Sequence, residues 1–225
     1  MTTISKETLK FLKDLKENNN RDWMQDNKKS YLAAKENTQE FVTALIDRIA
    51  DFEPSVMMLE PKDVMFRLHR DVRFSKDKTP YKTHFSAAIA KGGKKSDSAG
   101  FYVQISPEKV WIAGGVFRPE KERLLHLREE ISENKDEFLS IIDEENFKST
   151  FTIWGDQLKR IPRGFDKEDP MEFWLRYKDF VVQHEAPKNV IGNKNMLDYI
   201  VEIFKNMKAF NDYMNKPLAL KVKGN

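Results

Sequence analysis

The amino-acid sequence predicts an α+β fold in which helices at both ends of the chain pack against one antiparallel sheet. Apolar residues recur at helical spacing over the first fifty residues and again over residues 195–210. Between residues 64 and 117 they alternate instead with polar residues, and short turns separate the alternating runs. Short turns favour an antiparallel meander, here of about four or more strands. No repeat or flexible linker divides the 225-residue chain, so residues 1–225 are predicted to form a single domain.

Two amphipathic helices are predicted in the first fifty residues. The first follows Ser5, a suitable N-cap, and ends at residues 18–20, which are all Asn. Asn20 is a suitable cap for a second helix, which runs on to Phe52 and is stopped by the Glu-Pro pair that follows. Each helix carries one apolar stripe. The stripe residues are Leu9, Leu12, Leu15, Phe41, Val42, Leu45, Ile46 and Ile49.

Residues 64–74 are predicted to form a strand with two unlike faces, because successive residues alternate in polarity. One face is apolar and is expected to be buried. It consists of Val64, Phe66, Leu68, Val72 and Phe74. The other face would align four polar side chains, namely Arg67, His69, Asp71 and Arg73. The sequence therefore predicts a polar array on one side of this strand.

Three further strands complete the predicted meander. They are Phe85–Lys91, Ala99–Ser106 and Val110–Phe117, joined by turns at residues 92–95 and 106–109. In the middle strand, Tyr102 and Gln104 lie opposite a predicted buried face of Phe101, Val103 and Ile105. Gly114 and Gly115 inside the last strand predict a bulge, or a point where a ligand or another backbone comes close.

The second half of the chain is predicted to be mostly helical. Pro119 suits a first helical position, and Asp169, followed by Pro and later Glu, suits an N-cap. A short helix is predicted around residues 138–142, a strand at Phe180–Gln183 and a terminal helix at residues 195–210.

Positive charge is concentrated between residues 67 and 84, where six Lys or Arg and two Asp give a net charge of +4, against +3 for the whole chain. Such a local excess indicates an anion-binding concavity rather than a generally basic surface. The residues predicted to bind the ligand are Arg67, His69, Arg70, Asp71, Arg73, Lys76, Lys78, Tyr81 and Lys82. The leading hypothesis is a small ligand with a phosphate or carboxylate group, held by Arg67, Arg73 and Lys82 with assistance from Tyr81.

Two other functions fit the same residues. In one, the basic turn follows the phosphate backbone of a nucleic acid, and binding depends steeply on salt. In the other, the arginines form an internal network of salt bridges in a structural or interaction protein. His69 and Asp71 have the spacing of a general-base pair, but flanking arginines disfavour a metal ion, and a hydrogen-bonded structural histidine is the preferred interpretation.

Composition and motifs exclude several kinds of chemistry. The chain has no Cys, which excludes disulfides, thiolate metal sites and cysteine nucleophiles. Residues 75–78 match S-x-x-K, but a turn rather than a helix start is predicted there. Gly93 and Lys94 lack the remaining residues of a phosphate loop and are predicted to form a hairpin turn. The sequence therefore predicts no cofactor, no metal and no assigned catalytic residue.

The expected location and partners follow from the same composition. The N-terminus lacks an apolar signal core, and no apolar run reaches the length of a membrane span. A cytoplasmic protein without a membrane partner is expected. Its predicted partner is an anionic small molecule, with nucleic acid as the alternative.

Five motifs follow one another in an order that resembles a known family. They are Asn20-Arg-Asp-Trp23, the run from Phe66 to Lys82, the run from Gly100 to Pro107, Ala113-Gly-Gly115 and the run from Leu158 to Asp166. The chain resembles the bacterial and fungal family called domain of unknown function 2461 over about residues 8–213, and the central motif is the most specific. The resemblance implies a single-domain protein and supplies no activity or catalytic residue. His69 stands where the family often has Asn.

Overall fold

A computed structural model describes residues 2–223 of the chain, with side chains up to residue 218. In this range the fold is α+β, as predicted, with helices at both ends of the chain and a five-stranded antiparallel sheet. The helices are α1 (Lys6–Glu17), α2 (Arg21–Asp26), α3 (Lys28–Ala50), α4 (Pro61–Val64), α5 (Lys121–Glu133), α6 (Lys135–Ile142), α7 (Glu145–Thr150), α8 (Glu172–Leu175) and α9 (Met196–Lys223). The strands are β1 (Phe85–Ile89), β2 (Gly100–Ile105), β3 (Val110–Val116), β4 (Thr152–Trp154) and β5 (Phe180–Glu185), in the order β1-β2-β3-β5-β4.

The described chain divides into two compact units. The first unit contains residues 2–95, 102–112 and 185–202, and the second contains residues 96–101, 113–184 and 203–223. Segments of the two units alternate along the chain. The assignment of residues 1–225 to one domain stays a prediction.

The N-terminal helices begin where the sequence predicts. The Ser5 hydroxyl accepts a hydrogen bond from the Thr8 N–H at 3.0 Å, and the Asn20 side chain accepts one from the Trp23 N–H at 2.9 Å. The prediction of one helix from Asn20 to Phe52 is wrong, because the chain breaks at Asn27 into α2 and α3. The Asn27 side chain donates to the Trp23 carbonyl at 2.9 Å, a local bond that competes with helix continuation.

The core of the first unit forms where α1 and α3 pack together. Its fully buried leucines, Leu12 and Leu15, each contribute about 1.5–3 kcal/mol through removal of apolar surface from water. The same cluster contains Phe11, Met24, Ala34, Leu68, Tyr81 and Phe85. The core therefore reaches the segment in which positive charge is concentrated.

The predicted strand over residues 64–74 is wrong. Val64 ends α4, and the following residues pair with 80–87 only through isolated bridges, Met65 with Ala87 and His69 with Tyr81. Between these bridges the three residues 66–68 lie opposite the five residues 82–86, so a bulge in residues 82–86 interrupts the pairing. Residues 71–79 form a loop. Phe74, expected to be buried, is 96% exposed.

The strands after residue 84 are confirmed, including the two faces of β2. Phe101, Val103 and Ile105 are buried, whereas Tyr102 and Gln104 are half-buried on the other face. The predicted turn at residues 92–95 is present: the Gly93 N–H donates to the Ala90 carbonyl at 2.8 Å, and Gly93 adopts a φ of 82°.

The second unit differs from prediction mainly at element ends. Helix α5 begins at Lys121 rather than at Pro119, and α8 begins at Glu172 rather than near Asp169. The Asp169 carboxylate accepts the Met171 N–H at 2.7 Å, which makes a turn before the helix instead of capping its first residue. Strand β4 and helix α7 were not predicted, and α9 extends well past residue 210.

The paired glycines of β3 confirm the prediction of a close approach. Gly115 has a φ of 102°, and a side chain there would overlap the Phe180 carbonyl of β5. A side chain at Gly114 would overlap Met207 of α9. Neighbouring protein atoms, rather than a ligand, occupy the space beside these glycines.

Candidate anion-binding site

The predicted ligand residues all lie in the first unit, between Phe66 and His84. They do not form one array. Some point into the loop of residues 71–79, some lie in the core, and two remain beside the bulge of residues 82–86. The contacts of the three groups differ.

Arg70 holds the loop together. Its guanidinium donates to the Asp77 carboxylate at 2.5 Å, to the Thr79 carbonyl at 3.1 Å, and also to the hydroxyl of Thr79. Asp77 accepts from the Thr79 N–H as well, and these bonds lower the pKa of Asp77 to about 2. The arginine is thereby committed to bonds within its own loop.

Arg73 forms a bidentate ion pair with Asp71, with bonds of 2.9 and 2.6 Å. This pairing lowers the pKa of Asp71 to about 2, chiefly through the hydrogen bonds from Arg73. The Arg73 side chain is 77% exposed, so the pair lies in solvent. Lys76 and Lys78 are also exposed, and the Lys78 ammonium donates to the Val72 carbonyl at 3.0 Å.

Tyr81 is buried in the core of the first unit rather than in an open site. Its backbone N–H and carbonyl both bond to the side chain of Asn19, at 3.1 and 2.9 Å. His69 is exposed, and its ring lies edge-on to the Tyr81 ring, with centroids 4.9 Å apart. These two residues connect the segment to α1 and α2.

Arg67, Lys82 and His84 form what we term the basic cluster. Lys82 is half-buried, and burial, followed by the charge of Arg67, lowers the pKa of its ammonium below the ordinary 10.5. Burial, followed by the charge of Lys82, lowers the pKa of His84 to about 4, so this imidazole is neutral at pH 7. Arg67 is exposed and lies at the rim of the cluster.

No acid of the described residues neutralises the basic cluster. Within residues 2–223, Arg67 and Lys82 form no ion pair. Asp71 senses the charge of Arg67, but its carboxylate is engaged by Arg73. Asp71 is therefore already paired, and the cluster carries an excess of positive charge.

Three aromatic side chains extend from the basic cluster across the half-buried face of the sheet. In this aromatic row the ring centroids of Phe66 and Tyr102 are 6.3 Å apart, and those of Tyr102 and Trp111 are 5.4 Å apart. The Lys82 ammonium lies 5.2 Å from the Phe66 ring centroid, which places the cluster at one end of the row. Gln104 lies beside it and accepts a hydrogen bond from the Tyr102 hydroxyl at 3.3 Å.

The side chains of the basic cluster define the chemistry that is available there. Arginine and lysine attract anions, and a guanidinium can bind a phosphate or carboxylate through two parallel hydrogen bonds. Among residues 2–223, no group of three or more His, Asp or Glu is placed to hold a metal ion. A neutral His84 adds a single ring N–H donor to the two charged groups.

A concavity in the second unit differs in charge from the basic cluster. It has a volume of about 580 Å³, and Arg163 is accompanied in its wall by Glu129, Glu133, Asp166 and Asp169. Two of these acids are used locally, since Asp166 accepts the Glu168 N–H at 3.0 Å and Asp169 accepts the Met171 N–H. This wall does not favour an anion.

Sequence reasoning missed two features of the site. His84 is absent from the residues that the sequence predicts to bind the ligand, although it lies two positions from Lys82 and ends the charged segment. The sequence predicts Phe66 on the buried face, whereas in the structure it lies in the aromatic row with Tyr102. The sequence does contain one signal for the aromatic row: the alternation in β2 predicts Tyr102 and Gln104 on the face opposite the core.

Fold and site together define an α+β protein with an unneutralised basic cluster beside an aromatic row. The family model described as "Conserved hypothetical protein (DUF2461)" matches residues 7–213, and the chain belongs to this family. The resemblance inferred from the sequence motifs is thus confirmed. No curated protein and no solved structure matches the chain. None of the helices in residues 2–223 has the length and apolarity needed to span a bilayer.

Proposed function

We propose that the protein binds a small ligand bearing a phosphate or carboxylate group at the basic cluster. The observation that carries this proposal is the half-buried ammonium of Lys82, which lies close to Arg67 and has no ion pair with any acid of residues 2–223. Burying a charge without a counter-charge costs free energy. A ligand anion provides the counter-charge that the described chain lacks.

The three members of the cluster would act differently. Arg67, at the exposed rim, presents a planar fork that fits two oxygens of one anionic group. Lys82 supplies a partly desolvated point charge, which attracts an anion more strongly than a fully hydrated one does. His84 is neutral at pH 7 and would donate one hydrogen bond.

Of the nine residues that the sequence predicts to bind the ligand, the proposed site uses only Arg67 and Lys82. Arg70 and Arg73 already bond to Asp77 and Asp71, so they are not counted as ligand residues. Lys76 and Lys78 are solvated in the loop, and Tyr81, His69 and Asp71 are engaged elsewhere. Arg67 and Lys82 keep the role that the sequence suggested for them.

The test is thermal unfolding in the presence of inorganic phosphate, pyrophosphate and citrate at constant ionic strength. A ligand at one hundred times its Kd stabilises the folded state by about 2.7 kcal/mol, which corresponds to roughly 5–10 °C in Tm for a chain of this size. We expect at least one of these anions to raise the Tm of the unmodified protein, and Lys82→Met to lose that rise.

The matched control is Arg73→Met, which removes an equal charge from the same segment at a solvated ion pair. Phosphate and citrate also stabilise proteins generally, by exclusion from their surfaces. That general effect is the same in all three proteins. An equal rise in Tm for the unmodified protein, Lys82→Met and Arg73→Met would overturn the proposal.

A further inference from the structure

The basic cluster and the aromatic row are continuous in the first unit, and this continuity specifies the ligand further. Resting on the anion-binding function proposed above, we propose that the ligand is a mononucleotide. Its phosphate would lie at Arg67, Lys82 and His84, and its base would lie against the row of Phe66, Tyr102 and Trp111. Three features of the first unit support this ligand: the position of the rings, the hydrogen-bonding groups beside them and the location of the basic cluster.

The rings lie on the face of the sheet that does not form the core. Tyr102 and Trp111 are half-buried, whereas their neighbours in sequence, Phe101, Val103 and Ile112, are buried. The three aromatic side chains lie in succession, with centroids 6.3 and 5.4 Å apart and ring planes inclined by 54° and 69°. They form an apolar row in which each ring offers a separate face or edge. Bases stack on such surfaces because every base has a π-face.

Polar groups at the row match the edge of a base rather than a purely apolar ring. The Gln104 side-chain oxygen accepts from the Tyr102 hydroxyl at 3.3 Å, and the amide group retains donors for a further partner. Ser86 also bonds to the Tyr102 hydroxyl, which fixes the ring between β1 and β2. An amide beside an aromatic platform is suited to hydrogen bonding along a base edge.

The basic cluster lies at the Phe66 end of the row. The Lys82 ammonium lies 5.2 Å from the centroid of Phe66, the first ring, and Arg67 and His84 are its electrostatic neighbours. Binding a base against Tyr102 and a phosphate at Lys82 would use both surfaces at once. A single-stranded nucleic acid needs a basic groove that continues past the first phosphate, and Lys76 and Lys78 lie instead in the exposed loop.

The test is a calorimetric titration of the full-length protein with AMP, ribose 5-phosphate, inorganic phosphate and a single-stranded hexanucleotide. Base stacking predicts that AMP binds about 5- to 150-fold more tightly than ribose 5-phosphate. In Tyr102→Leu this advantage should disappear while the affinity for inorganic phosphate is unchanged, and the retained phosphate binding reports that the variant is folded. Trp111→Leu provides the same comparison if Tyr102→Leu does not fold.

The outcomes separate this inference from the function on which it rests. Equal affinities for AMP and ribose 5-phosphate overturn the mononucleotide assignment and leave anion binding intact. An absence of binding by all four ligands overturns both. A hexanucleotide that binds more tightly than AMP, with an affinity that falls steeply as salt is raised, identifies a nucleic-acid surface and contradicts the mononucleotide. Phe117→Leu, in an exposed ring of the second unit, should leave all four affinities unchanged.

Discussion

Replacing Lys82 by Met should stabilise the folded protein while it removes anion binding. The ammonium is half-buried beside Arg67, and its pKa is lowered because the folded state disfavours the charge. Met keeps a flexible apolar chain against the Phe66 ring and removes the buried charge. Single stabilising substitutions commonly yield about 0.5–2 kcal/mol, which corresponds to a rise in Tm of roughly 1–8 °C for a chain of this size.

The assay is equilibrium unfolding in urea without ligand, with Arg70→Met measured alongside. Arg70 donates hydrogen bonds to Asp77 and Thr79, so its replacement should lower the free energy of unfolding by about 1–3 kcal/mol. The two substitutions of basic residues in one segment should therefore have opposite signs. One hydrogen bond commonly contributes about 1 kcal/mol to stability. If Lys82→Met lowers the free energy of unfolding by about that much or more, the reasoning is refuted and Lys82 is a structural residue.

Three further predictions concern the backbone, the histidine and the surface pair. Gly115→Ala should cost about 2–4 kcal/mol in urea unfolding, because its φ of 102° is strained for Ala and its Cβ would overlap the Phe180 carbonyl; a cost below about 1 kcal/mol would contradict this. The pKa of His84 is about 4 in the folded protein, below the ordinary 6.5, so the unfolded chain takes up the proton first. Stability should be full above pH 6.5 and fall by about 1–2 kcal/mol towards pH 4, less than a fully buried ring would lose, and His84→Gln should lack this part of the pH dependence; identical profiles for both proteins would contradict the assignment. Asp71→Asn should leave the urea midpoint of unfolding close to that of the unmodified protein, since its ion pair with Arg73 is solvated, and a clear drop in that midpoint would show that the pair supports the loop.

Much of the fold could be predicted because local signals agreed with tertiary packing. In β2 the alternation of Phe101 and Tyr102 coincides with a buried face and a half-buried face. The caps at Ser5 and Asn20 use side-chain bonds that depend only on residues three positions away. The glycine at 115 marks a close approach that its sequence position already suggested.

The candidate site could be predicted only in part, because it depends on pairings that are not local. Arg67 and Lys82 were selected by charge, yet charge alone did not distinguish them from Arg70 and Arg73, whose acidic partners are set by the path of the loop. Residues 82–86 contain two more residues than the segment 66–68 that they face, which interrupts the pairing between the bridges of Met65 and His69. Which residues pair across the chain is not specified by the linear pattern of either segment.

A phosphate titration followed by two-dimensional NMR of the backbone amides tests the central claim most directly. If phosphate binds at the basic cluster, amides of residues 66–69 and 82–86, on either side of the cluster, should show saturable shifts. These shifts should be lost in Lys82→Met. Shifts centred on the loop of residues 71–79, or on the second unit around Glu129 and Arg163, would contradict it. So would a spectrum that phosphate leaves unchanged.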